Sequence, residues 1–341
     1  MIYHYENIRH SITKGQSFVN YIVLEILCRS KKLGMPEEFD ENLVIDKYKS
    51  LIAVNEAYIK VPLNNAYQIC QKKLNSNDLK LLKKALHNNL DIVGICNGNT
   101  KPVLYIDIKK IDKDLANYLY KFSKYLYTDV LKLKAFTDLF GKLKDHYLEF
   151  STANGLKSKR CPFCGSSRML NEYNTKKEAY DHFLPKEQYP FISIHFMNLV
   201  PMCHTCNSSY KARKNPIDIL RSGVQKKVFY PFFNYGKINF ELNISNLNLA
   251  IINPAEITIF NTLDGNSDEV QSWEEIFGIQ ERHKSIYVGD SFNWFEEVRI
   301  ATNEFGDSYN TYKSNLNNNY YSNENFMKLS LLEACEKIGL I

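Results

Sequence analysis

From the start of the chain to about Phe150, apolar positions recur at three- and four-residue steps. Leu115, Leu119, Phe122, Leu126, Val130 and Leu133 fall on one stripe, the pattern of a helix laid against a core. Asp78 stands before "LKLLKKALHNN" as the predicted N-cap of another helix, with Leu79, Leu82 and Leu86 on one face. "PVLYIDI" reads as a short strand. After Gly155 the periodicity gives way to cysteines, short loops and basic residues through about Leu220. "VFYPFFNYGKINFELNISNLNLAIINPAEITIF" then offers β-branched and aromatic runs broken by Asn, Gly and Pro, which predicts several short strands. "SWEEIFGIQERHKSIYV" and "NWFEEVRIATNEF" predict a helical tail, and the Asn-rich "NLNNNYYSNENF" reads as a loop. The pattern divides the chain into a mainly helical region (1–155), a cysteine-bearing middle (156–222) and a region of short strands followed by helices (223–341), an α+β class overall.

Composition narrows this little. With 341 residues, 44% hydrophobic and 24% charged, the chain can bury a sizeable core. Its best apolar run, "FVNYIVLEIL", is interrupted by Asn20 and Glu25 and falls well short of the roughly 20 residues a membrane span needs, so a cytoplasmic protein with no membrane partner is expected. The net charge of +5 is unevenly placed. Between Leu156 and Lys227 there are 13 Lys and Arg against 5 Asp and Glu, so the basic surplus surrounds the cysteines, where a polyanion could be held.

Four of the eight cysteines form two close pairs, Cys161 and Cys164 in "CPFC" and Cys203 and Cys206 in "CHTC". Each CxxC turn can present two thiolates to one tetrahedral zinc, and a closed four-thiolate site is a structural one. The span between the pairs is too long for the shortest zinc ribbons, so a small subdomain must lie between them. His204 is a lesser candidate to replace one cysteine. Cys28, Cys70, Cys96 and Cys335 have no such partner and are expected to be buried apolar residues.

Inside that span lie Asp181, His182 and Asn198, and Asn207 directly follows the last cysteine. Phosphodiester hydrolysis needs a base to take a proton from water and a positive charge at the departing oxygen. A neutral imidazole serves as the base near neutral pH. A hard divalent cation, Mg²⁺ or Mn²⁺, selects oxygen ligands such as a carboxylate and a carboxamide. On a strand, Asp181 and His182 would point to opposite faces and so divide these tasks.

The wording "CPFC…YDHFLPK…NLVPMCHTCNSSYK" resembles the HNH endonucleases of the ββα-metal type, with zinc knuckles bracing the motif. The resemblance spans roughly Cys161 to Lys211. It implies that His182 is the general base, that Asp181 and Asn207 hold the catalytic metal, that Asn198 pins the loop and orients the base, and that Lys211 meets backbone phosphate. "DHFLPKEQYP", "NLVP" and "CHTCN" are also similar to HNH proteins of bacterial anti-phage defence, including the nuclease partner of an ATPase in Septu-type systems. That likeness implies a defence nuclease acting on nucleic acid, DNA rather than RNA, with an ATPase partner.

Lys157, Lys159, Arg160, Lys186, Arg213 and Lys214 are expected to hold the nucleic-acid backbone by charge, which carries little sequence information. His195, in the strand-like "FISIHF", faces either phosphate or a neighbouring strand, and the structural role is the favoured one. The rival reading is a zinc-braced module that binds nucleic acid or protein without cutting. Such a module has no need of Asp181, His182 and Asn207 together.

Overall fold

The protein is described by a computed structural model covering all residues except 54–55, 172, 219–222 and 304–307. The expected end of the middle region at 222, with Leu220, and the last residues of "NWFEEVRIATNEF" lie outside the described residues.

Among the described residues the first 155 positions are mainly helical, as their periodicity predicts. In order come α1 (Gln16–Tyr21), which runs on into a π-wound turn (Ile22–Leu27), α2 (Asp46–Ala53), α3 (Val61–Lys72), α4 (Ser76–Leu90), α5 (Ile92–Cys96), α6 (Tyr105–Ile111), α7 (Lys113–Thr128), α8 (Lys134–Phe140) and α9 (Leu143–Ala153). Helix α7 buries Leu115, Leu119, Phe122 and Leu126 and packs against α3 and α6. Its stripe continues only as far as a 3-10 turn at Val130–Lys132.

Two local expectations are corrected. The cap of α4 is Asn75, not Asp78: the Asn75 side chain accepts from the backbone N–H groups of Asn77 and Asp78 at 2.8 and 3.1 Å. Asp78 sits one turn in and accepts from the Asn75 N–H at 2.9 Å, the reciprocal pair of a capping box. "PVLYIDI" is not a strand, because Asp107 accepts from the Leu104 N–H at 3.0 Å and starts α6. Tyr105 and Ile108 are then buried while Ile106 is half exposed, a helical spacing and not an alternating one.

The middle region contributes a short antiparallel pair, β1 (Tyr180–His182) and β2 (Leu199–Pro201), in the register Asp181 opposite Val200. A π-wound helix, α10 (Thr205–Lys211), follows. "FISIHF" forms no strand. It is a succession of tight turns, with His195 N–H donating to Ile192 O and Asn198 N–H to His195 O. The turns let Phe191, Ile194 and Phe196 join one core and Ile192 the other, which a straight strand of that length would not do.

Among its described residues the last region holds one hairpin where several strands are expected, β3 (Asn239–Ile244) and β4 (Ile257–Thr262), antiparallel throughout. Burial alternates strictly along β4, as one covered face requires, and α14 (Asn325–Lys337) packs on β3. Between hairpin and α14 run α11 (Ser267–Phe277), α12 (Ile279–Asn303) and α13 (Tyr309–Asn318). Half of the Asn-rich stretch is thus helical: 315–318 complete α13, and only 319–324 turn.

Two cores result. One gathers the N-terminal helices with Tyr180, Phe191 and Leu199. The other gathers both cysteine pairs, β3, β4, the C-terminal helices and the chain's first residues. Ile2 N–H donates to Pro162 O and Tyr5 N–H to Pro231 O, each at 2.8 Å. The β1–β2 pair sits where the two cores meet. No helix among the described residues is long and apolar enough to cross a membrane.

His146 of α9 is buried at this meeting point and hydrogen-bonded to the Tyr180 hydroxyl. Burial lowers its pKa from 6.5 to about 3, and His10 pushes the same way. The unfolded chain therefore binds the extra proton first, and stability falls as pH drops below about 6.5. Between pH 6.5 and 5 this one group should cost about 2 kcal/mol. Urea denaturation of the wild type and of His146→Gln across that range should show a shallower loss in the variant; identical slopes would contradict the assignment.

Candidate functional site

The four paired cysteines converge. Their Sγ atoms all lie within 4.8 Å of one another and all four residues are buried. Cys161 Sγ is 4.0 Å from Cys206 Sγ, and Cys164 Sγ is 4.0 Å from Cys203 Sγ. Tetrahedral coordination at a metal–sulfur distance near ~2.3 Å requires S–S separations of about 3.8 Å, so the donor set fits a metal ion such as zinc. His204 is exposed and is not among the clustered ligands. Each pair is a tight turn: Gly165 N–H donates to Cys161 O at 2.7 Å, and the second pair opens into α10 through Asn207 N–H to Cys203 O at 2.9 Å.

The C-terminal helices brace this cluster, which no local signal in the sequence announces. Trp273 Nε1 donates to Phe163 O at 2.7 Å, and His283 Nε2 is 2.9 Å from Cys164 O. Arg282 Nη1 donates to Cys206 Sγ at 3.2 Å, and its guanidinium lies 4.7 Å from the Tyr210 ring. The thiols are strongly interdependent. Hydrogen bonds from Cys161 and its neighbours hold Cys164 well below its usual range, with Arg282 pulling the same way, while burial pushes Cys161 up. Of the remaining cysteines, Cys70, Cys96 and Cys335 are buried and Cys28 is partly so.

Strand β1 separates Asp181 from His182 as alternation demands. Tyr180 and His182 face the N-terminal helices: Tyr127 donates its hydroxyl to Tyr180 O at 3.1 Å, and the Tyr127 and His182 rings meet edge to face at 4.3 Å. His182 Nε2 is 2.8 Å from Ser193 O. A carbonyl only accepts, so Nε2 bears the hydrogen and Nδ1 keeps the lone pair. Burial, then the Lys186 ammonium, lowers the imidazole pKa to about 3, leaving it neutral at pH 7.

Asn198 is fully buried and clamps the loop beyond β1. Its carbonyl accepts from Leu184 N–H at 2.8 Å, and its amide donates to Leu184 O at 2.9 Å. Asn207 is half-buried on the first turn of α10.

Asp181 turns the other way, toward α10. Its Oδ2 lies 2.7 Å from Lys211 Nζ, with the two side chains 9% and 1% exposed, and Lys211 also donates to His182 O at 2.9 Å. The expectation that Lys211 meets backbone phosphate is therefore corrected: its ammonium is enclosed between Asp181 and the His182 carbonyl. Oδ2 makes no aligned hydrogen bond, so the contact is ionic. Burial raises the Asp181 pKa and Lys211 opposes the rise.

The other expected cations are more accessible. Lys186 is partly exposed, 3.1 Å from Glu187, with its ammonium 5.4 Å from the Tyr127 ring. Arg213 and Lys214 are exposed just beyond α10 and line a cleft of about 300 Å³ with Asn215 and Lys226. His195 lies in the turns and not on a strand, and burial lowers its pKa to about 4.

The fold and this cluster define an α+β protein whose four buried cysteines can hold a metal ion. No known family profile matches the chain, and no solved structure matches it. The chain is similar to protein ea31 of Escherichia phage lambda, with 32% identity over 91 residues. Those residues are 26% of this chain and 27% of that protein, so the chain matches about a quarter of its relative's length.

Removing the ammonium from the Asp181–Lys211 pair strands a buried carboxylate. Lys211→Met should lower unfolding free energy by about 3–5 kcal/mol, read from denaturant midpoints. Asp181→Asn combined with Lys211→Met should recover much of that. Equal losses in the single and double variants would show that the pair is not what holds α10 to β1.

Proposed function

We propose that the protein is a metal-dependent endonuclease of the HNH type, with the four-cysteine cluster holding a structural zinc. The observation that most supports this reading is the arrangement of His182: a buried neutral imidazole, fixed by Ser193 through Nε2, whose Nδ1 makes no hydrogen bond among the described residues. Asp181, on the other face of β1, turns its carboxylate toward α10, the helix that carries Asn207.

In this scheme His182 Nδ1 takes the proton from the attacking water, and the Ser193 carbonyl stabilises the imidazolium that results. Asn198 keeps the ring in place by clamping Leu184, two residues on. Asp181 and Asn207 are the hard oxygen donors that suit Mg²⁺ or Mn²⁺, and the ion when bound would neutralise charge on the leaving oxygen. Lys211 already meets Asp181 Oδ2, so its ammonium must share or cede that carboxylate to the ion. Arg213, Lys214 and Lys186 would meet the backbone, with duplex DNA as the substrate. The wording shared with defence nucleases extends the reading to anti-phage defence alongside an ATPase, a partner that co-purification from the native host would recover.

Plasmid nicking with Mg²⁺ or Mn²⁺ tests the hydrolytic reading. Loss of a general base typically costs 10²–10⁴-fold, so His182→Ala should nick at least about 100-fold more slowly while remaining folded and metal-loaded. Equal nicking by both proteins would remove His182 from the mechanism. No cutting of DNA or RNA by the wild type, with partner present, would favour the binding module.

A further inference from the structure

The Asn-rich turn between α13 and α14 forms one wall of a basic cleft of about 630 Å³. The facing wall comes from the two segments that flank the first cysteine pair. They bring Lys157, Lys159, Arg160 and Arg168 together, while Asn319 and Asn323 supply carboxamides from across the cleft. These residues lie about 160 positions apart in sequence, and neither stretch signals the other.

The charges in the cleft are largely unspent. Glu324 neutralises Arg160 at 2.9 Å, but Lys157, Lys159 and Arg168 make no ion pair among the described residues. The buried Nε of Arg160 has no hydrogen-bond partner in the protein. Burial lowers the pKa of Lys159, with Glu6 opposing, so this ammonium is already partly stripped of water. Beside the cleft the Tyr173 ring is 74% exposed, with Lys157 Nζ 5.3 Å from its centre.

Cations in a concave wall concentrate a polyanion. Carboxamides opposite them can donate to phosphate oxygens or pair with base edges, and an exposed aromatic ring with a cation over it is a stacking platform for a base. We propose that this cleft is a second nucleic-acid-binding surface, which grips a single strand through Lys157, Lys159 and Arg168 and lets a base stack on Tyr173. It is separate from the cleft lined by Arg213 and Lys214. The proposal rests on the reading of this protein as one that acts on nucleic acid, but not on hydrolysis at His182.

The test uses the full chain with zinc retained and with His182→Ala to prevent cutting. The probe is a fluorescent mixed-sequence deoxyoligonucleotide of about 20 nucleotides, followed by anisotropy across a salt series without added divalent metal. Each lost phosphate contact on a single strand should flatten the log–log salt slope by about 0.7. Lys157→Gln with Arg168→Gln should therefore flatten it by about 1.4 and weaken binding about 25-fold at about 0.1 M salt. Lys83→Gln with Lys84→Gln removes the same charge from exposed positions on α4 and should change affinity less than about twofold.

Equal weakening by both pairs would mean that net charge alone acts, and would overturn the proposal. So would no change in the first pair, or no binding by the parent chain. A wild type that binds through this cleft yet never nicks DNA would sink the hydrolytic reading and leave the cleft standing. A wild type that nicks but ignores these substitutions would do the reverse.

Discussion

Four thiols brought within 4.8 Å of one another in a buried place are the constraint on which the rest of the structure depends. Ionised, they repel strongly at about 4 Å in a low-dielectric interior. Arg282 compensates only part of that charge. A divalent ion would resolve the conflict, because tetrahedral coordination asks for sulfurs at about the distance at which they already stand. The free energy of holding such an ion would be folding free energy, and it would fall on the segment that carries Asn207 and Lys211.

The consequences can be traced along the chain. Cys203 and Cys206 close the turn that begins α10, so an ion held there would set where this helix starts. Lys211 at its far end then reaches back to Asp181 and to the His182 carbonyl. Asn207, one turn earlier, is held by the same helix. The position of Asp181 and His182 relative to Asn207 is thus set by the cluster at one end of α10 and by a buried ion pair at the other. The N-terminal helices complete the enclosure on the opposite face of β1, Tyr127 against the His182 ring and His146 against the Tyr180 hydroxyl, and burial keeps the His182 imidazole neutral.

Much of this was legible in the sequence, and the reasons differ by element. The helical stripe of α7 and the two cysteine pairs depend on local spacing, which a sequence displays; the three-residue strand carrying Asp181 and His182 is set by its pairing with Leu199–Pro201 and has no such spacing. "PVLYIDI" and "FISIHF" have apolar residues that suit a strand, whereas Asp107 capping and a run of tight turns decide otherwise. Lys211 departs from its sequence pattern for a different reason. A lysine one turn past a metal-binding asparagine suggests an exposed phosphate contact, and only the return of β1 beneath α10 encloses it. Trp273, His283 and Arg282, and the insertion of the first five residues into the second core, depend on contacts across more than 70 positions and leave no trace in local pattern.

Metal content of the purified, folded chain tests the central claim most directly. Elemental analysis should find one zinc per chain, and zinc-edge absorption should show four sulfur neighbours at about 2.3 Å. A folded protein with no tightly held metal, or with oxygen or nitrogen in that shell, would contradict the account.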